Sequence, residues 1–171
     1  MKNTTAIILL FFAAFAFYSC NKISDTEGTV DLYLLESYET LDYSCGINEA
    51  TALTKDKPLI KYSDFQSYDP INHAFKLSHK AENIIKDTNN FVFGAAFGIK
   101  ANNELIYTGY FWPSLSSASC VWIVIDPLMI ANDRKLYVKL GYPSKFKDTQ
   151  IIDKRNDERI INIFKRDHKL D

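Results

Sequence analysis

At 171 residues the chain is about one domain long, and 47% hydrophobic residues with 14% aromatics suffice for one packed core. A formal charge of −1 and a pI near 6.3 leave no basic excess, which argues against nucleic acid as a partner. The pattern predicts an α+β domain, an antiparallel sheet of about 4–6 strands with two helices packed on it.

The chain opens on Lys2, followed by the apolar run Ala6–Phe17 and then Tyr18-Ser19-Cys20. As a helix this run rises only ~18 Å, short of the ~30 Å hydrocarbon core, so it reads as a signal peptide rather than a span. The junction Phe17-Tyr18-Ser19-Cys20 resembles the lipobox of bacterial lipoproteins, in which a small residue before the cysteine admits the lipoprotein signal peptidase. Phe17 stands where that family usually carries Leu, and Tyr18 is bulkier than the common occupant.

The resemblance implies that residues 1–19 are removed, that Cys20 carries a thioether-linked diacylglycerol and that its amine is acylated. This covalent lipid is the one cofactor expected. Several acyl chains give stable anchoring where one does not. Asn21, in place of an Asp, implies the outer membrane by the enteric sorting rule. Residues 20–29 are polar and suit a lipidated tether. Within them Ser24-Asp25-Thr26-Glu27 resembles acidic surface-export signals, which leaves the periplasmic and surface sides both open. A single domain over 30–171 follows.

Val30–Tyr38 is rich in β-formers and reads as a first strand. Leu41–Lys57 reads as a long irregular excursion, followed by a short strand around Leu59–Tyr62. Ala74–Leu77 is a strand and Ser78 a helix N-cap, with Ala81, Ile84 and Ile85 at helical spacing behind it. Phe93–Ala101 and Glu104–Trp112 flank Asn102-Asn103, which tolerates the positive φ of a two-residue hairpin turn. With Ala101 facing Glu104, continuous pairing sets Gly98 against Tyr107 and Gly94 against Phe111. Cys120–Ile125 is apolar on both faces and reads as a central strand. Lys135–Leu140 alternates, as a strand with one wet face does. Asn156 is the expected cap of a last helix reaching about His168, with Ile160, Ile163 and Phe164 as its buried stripe. The order of elements over Ala74–Trp112 is similar in pattern to the periplasmic head subdomain of the Sec translocase membrane component. That resemblance implies α+β topology and no residue roles.

With Cys20 lipidated, Cys45 and Cys120 remain as a candidate disulfide, the alternative being two separate buried thiols. The loop 113–119 is Ser-rich, and Ser114, Ser116 and Ser117 beside Tyr110 and Trp112 make a candidate surface for a glycan or an envelope protein. The alternative for this loop is a plain connector. No metal site is expected, since Asp64, Asp69, His73 and His79 match no zinc or calcium spacing. The composite expectation is a membrane-anchored envelope lipoprotein with a non-catalytic binding or assembly role. The alternative is a small envelope hydrolase with its site near 113–120, although His73, His79 and His168 show no hydrolase context.

Overall fold

A computed structural model describes residues 28–41, 45–87, 94–146 and 151–171. The expected signal peptide, Cys20 and most of the expected tether lie outside the described residues. The strands are β1 (Val30–Ser37), β2 (Leu53–Thr54), β3 (Phe65–Asp69), β4 (Ala74–Leu77), β5 (Ala95–Ala101), β6 (Glu104–Phe111), β7 (Cys120–Ile125) and β8 (Lys135–Tyr142). Three short helices accompany them: α1 (His79–Asp87), α2 (Ile130–Asp133) and α3 (Glu158–Arg166). One eight-stranded sheet runs β2-β1-β5-β6-β7-β8-β4-β3.

This corrects the expected antiparallel sheet of fewer strands with two helices. The sheet is mixed, because β6 and β7 are parallel. Parallel neighbours usually need a crossover of about a dozen residues or more. Here the connection 112–119 suffices, since the two strands pair only at Tyr110 with Val124 and Phe111 with Ile125. The unforeseen strands are β2, two residues long, and β3. The segment expected as a strand near Leu59–Tyr62 instead makes one bridge, Ile60 to Leu32 of β1, before Tyr62–Asp64 turns as a 3-10 helix.

That short turn dictates the shape of the sheet. Ile60 lies beside β1 near one edge, and five residues later Phe65 begins β3 at the other. Five residue steps span at most ~18 Å, whereas the seven strand spacings from Ile60, outside β1, to β3 in a flat sheet would need ~33 Å. The sheet must therefore curl until its edges approach. Register breaks in the β1/β2, β3/β4, β5/β6 and β7/β8 pairs are of the kind that increases local twist and bend.

The apolar stripe of α3 (Ile160, Ile163, Phe164) joins the larger of two core clusters. The Phe164 ring meets Tyr62, Phe65, Tyr68 and Phe75 at centroid distances of 5.4, 6.2, 5.6 and 5.8 Å. Polar contacts hold the same seam. The Tyr62 N–H donates to Asp31 of β1, its hydroxyl donates to Asp167, and Lys169 Nζ donates to the carbonyl of Phe65. The Arg166 guanidinium beside Asp167, with the Tyr62 hydroxyl, holds that carboxyl well below the usual carboxylate range. Leu170 then bridges Tyr68, so the C-terminal segment covers the β3 edge.

Asp157 rather than Asn156 caps α3, accepting the Arg159 N–H. Asn156 ties the helix entrance to β3, accepting from the Tyr68 hydroxyl and donating to the Pro70 carbonyl. At α1 the Ser78 hydroxyl accepts the Ala81 N–H, and Ala81 and Ile85 are buried.

Asn102 and Asn103 both have positive φ, 54° and 65°, and Ala101 pairs with Glu104. Continuous pairing ends there. A break after Lys100–Leu105 skips Ile106, so that Ile99 faces Tyr107, Gly98 faces Thr108 and Ala95 faces Phe111. Ile106 and Tyr107 are consequently both buried in the larger cluster. Gly98 has no covering Tyr107 ring, since a Cβ there would meet Leu105 at 2.7 Å and Leu35 at 3.3 Å. The glycine under a ring is Gly109, where a Cβ would stand 2.5 Å from Phe97 Cζ and 2.7 Å from the Ile123 carbonyl oxygen.

Gly109→Ala is therefore expected to destabilise the domain by about 1–3 kcal/mol, the range for overpacking a core. Phe97→Leu should relieve part of that cost. Denaturant midpoints of the four variants measure the coupling, and strictly additive effects would refute the contact. Phe164→Ala is expected to cost about 3–5 kcal/mol, as for other large-to-small aromatic truncations, read by the same midpoints. A loss below about 1 kcal/mol, the scale of ordinary surface substitutions, would refute its role in the seam.

Candidate functional site

Alternating residues of the middle strands face opposite ways. Phe97, Phe111 and Ile125 enter the larger cluster on the helix side, while Ala96, Tyr110 and Val124 enter a smaller cluster with Leu35, Ile47 and Cys120. The second cluster is covered by the chain between β1 and β2. There Thr40 bridges Ile47, the Leu41 N–H donates to the Gly46 carbonyl, and the Asn48 N–H donates to the Glu39 carbonyl. The Asn48 side chain then caps a 3-10 turn, Glu49–Thr51.

Below Tyr110 the parallel pair β6/β7 has no further paired residues. The 49–51 turn inserts there. The Thr108 N–H, inside a fully buried residue, donates to Glu49 Oε1 at 3.2 Å, and the Trp122 indole N–H donates to Thr108 Oγ1 at 3.2 Å. Glu49 thus supplies the acceptor that a neighbouring strand carbonyl would otherwise provide. Its other oxygen receives the Lys154 ammonium at 2.6 Å.

Around this contact lies a cleft of about 290 Å³, lined by Leu41, Ile47, Asn48, Glu49, Ala50, Trp122, Ile123, Ile152 and Lys154. Ile47 and Ile123 are buried, whereas Leu41 and Ile152 are 44% and 75% exposed. The cleft therefore combines apolar walls with a few polar groups, the usual makeup of a small-ligand site. Both carboxylate oxygens of Glu49 are occupied. The Lys154 ammonium has three donors and is part-exposed, and the Asn48 amide NH₂ has no protein acceptor among the described residues. The free hydrogen-bonding capacity is thus of donor type.

The Ser-rich loop lies elsewhere. Tyr110 is only 5% exposed, packed edge-on against Tyr38 at 6.0 Å, and Ser116 is buried with its hydroxyl accepting the Ala118 N–H. These two do not form part of an open surface. Ser114 and Ser117 are exposed and Trp112 half-buried, its indole N–H donating to the Ala118 carbonyl. His73 contacts Asn156 and His79 contacts Glu82, so neither stands as a base beside the serines. Cys45 and Cys120 do come together, with Sγ atoms 3.4 Å apart. Among the described residues no group of three or more His, Cys, Asp or Glu is placed to hold a metal ion, and no helix is long and apolar enough to cross a membrane.

The cleft was not foreseen from the sequence. Glu49 is an ordinary acid in a polar stretch, and its role depends on a gap between β6 and β7 that periodicity does not reveal. Comparison with protein-family models, with curated proteins and with solved structures gives no match.

Glu49→Ala leaves the buried Thr108 N–H without an acceptor and is expected to cost about 1–3 kcal/mol. Glu49→Gln keeps an acceptor and loses only a part-exposed ion pair, so it should cost less than about 1 kcal/mol. Equal denaturant midpoints for the two variants would refute the strand-substitute role.

Proposed function

We propose that the protein is a lipid-anchored envelope lipoprotein whose folded domain acts by binding, through the cleft between Leu41, residues 47–50, β7 and residues 152–154. The observation that carries the binding role is the cleft itself, whose lining contains no Ser, Thr, Cys or His and whose one amine is ion-paired to Glu49. Such a lining suits recognition better than covalent chemistry. Its apolar walls and spare donors fit a compact ligand with an apolar body and an acceptor-bearing head, such as a carboxylate or a sugar edge on an envelope glycan or protein. The anchor rests on the resemblance of Phe17-Tyr18-Ser19-Cys20 to a lipobox, with Cys20 as the lipidated residue.

Two measurements test the two parts. Metabolic labelling with a fatty-acid analogue should mark the wild type and not Cys20→Ala; equal labelling would overturn the anchor. For the cleft, 8-anilinonaphthalene-1-sulfonate offers an apolar body with an anionic head. The unlipidated Cys20→Ala chain should enhance its fluorescence, and Ile152→Asp should weaken that binding about tenfold by charging the apolar wall, a change of ~1.4 kcal/mol. Since Ile152 is largely exposed, the fold should persist. Unchanged dye affinity would overturn the cleft as the site.

A further inference from the structure

Cys45 and Cys120 are 75 residues apart in sequence, and their Sγ atoms stand 3.4 Å apart where the covering loop meets β7. The Val121 N–H donates to Cys45 Sγ at 3.2 Å, which holds the first thiol over the second. Both sulfurs belong to the smaller core cluster, Cys120 buried within it and Cys45 half-buried at its border. Two residues beyond Cys45 the same loop reaches Ile47, and next come Asn48 and Glu49, all on the cleft wall. Two residues beyond Cys120 is Trp122, which also lines the cleft. The thiol pair therefore joins two of the segments that line the cleft.

We propose that Cys45 and Cys120 form a redox modification site, a disulfide that staples residues 45–49 to β7 and so fixes that part of the cleft lining. A disulfide needs about 2.05 Å between sulfurs, so the two, 3.4 Å apart here, must still draw together. The oxidant is a small-molecule or protein disulfide acting by thiol–disulfide exchange. The half-buried Cys45 thiolate attacks one of its sulfurs, forming a mixed disulfide and releasing one thiol. The Cys120 thiolate then attacks Cys45 Sγ, forming the internal bond and releasing the second thiol. Two protein thiols lose two electrons and two protons, and the oxidant disulfide gains them as two thiols. Burial raises the Cys120 thiol above its ordinary range, which lowers the thiolate fraction available for the second step. That step therefore quickens as pH rises, with the thiolate fraction.

The staple stands on the sulfur geometry, and its effect on ligand binding rests on the proposed binding role of the cleft. The unlipidated Cys20→Ala chain, which carries only these two thiols, is equilibrated with oxidised or reduced glutathione. Alkylation and peptide mass mapping should show Cys45 joined to Cys120 in the oxidised sample alone. Exchange of the Leu41 and Asn48 amides, whose bonds close the loop, should slow by about tenfold or more on oxidation, as local opening is suppressed. Cys45→Ser, at a half-buried position, should fold and lose this redox dependence. Two alkylatable thiols after oxidation, glutathione left on Cys45 without transfer, or a bond that leaves both amides unchanged would each overturn the staple. Bond formation with slowed exchange but no dye binding in either redox state would support the staple and overturn the cleft as a binding site.

Discussion

The approach of the two sheet edges is the constraint on which the rest of the structure depends. Eight strands laid flat would leave β1 and β3 too far apart for the turn at Tyr62–Asp64 to join them. Curling brings the edges together and leaves between them a seam lined with aromatic surface. α3 fills it. Phe164 contributes the apolar part, set among four aromatic rings, while Tyr62, Asp167 and Lys169 satisfy polar groups around it. A buried helix stripe and a curled sheet are each incomplete alone: the sheet needs a plug, and the helix needs a surface on which to bury Ile160 and Ile163.

Curling the sheet around α3 leaves its other side to be covered by something else. The chain between β1 and β2 covers it, placing Ile47 over Tyr110 and Val124. Coverage by a loop rather than a helix brings backbone and polar side chains close to the sheet, and these must find partners. Glu49 shows how the demand is met. Its carboxylate takes the Thr108 N–H where β6 and β7 diverge and neutralises its own charge on Lys154. The residual space beside that contact is the cleft, a consequence of joining a loop to a sheet whose parallel strands separate.

Much of the fold was legible where local chemistry and tertiary role agree. The ends of β4 and β7, the Ser78 cap and the positive-φ asparagine turn follow from residue type alone. The strand Phe65–Asp69 was not legible, because Phe-Gln-Ser-Tyr-Asp carries only two large apolar residues and is held by β4 and the Leu170 bridge. The hairpin register failed at one residue for a similar reason. Ile106 and Tyr107 are adjacent and both apolar, so nothing local says that one is skipped, and the curvature needed elsewhere decides it. At the candidate sites, the Cys45–Cys120 proximity was within reach of cysteine counting, whereas the grouping of Glu49, Trp122 and Lys154 was not. Those residues come from three separate segments, and each has an ordinary local context.

One loop thus covers the smaller core cluster through Ile47, supplies a hydrogen-bond acceptor to the sheet through Glu49 and forms a wall of the cleft. Loops on a rigid scaffold commonly carry binding residues because they tolerate movement, but this one has little freedom to move without cost. Any opening that widened the cleft from this side would also withdraw Ile47 from its apolar contacts and leave Thr108 without an acceptor. Across from it the segment is held by buried Ile151 and by the Lys154 ion pair, but the Ile152 side chain itself is largely exposed and in neither core cluster. Adjustment to a ligand should therefore fall on the Ile152 side chain, with the Glu49 side as the fixed reference against which the ligand is oriented.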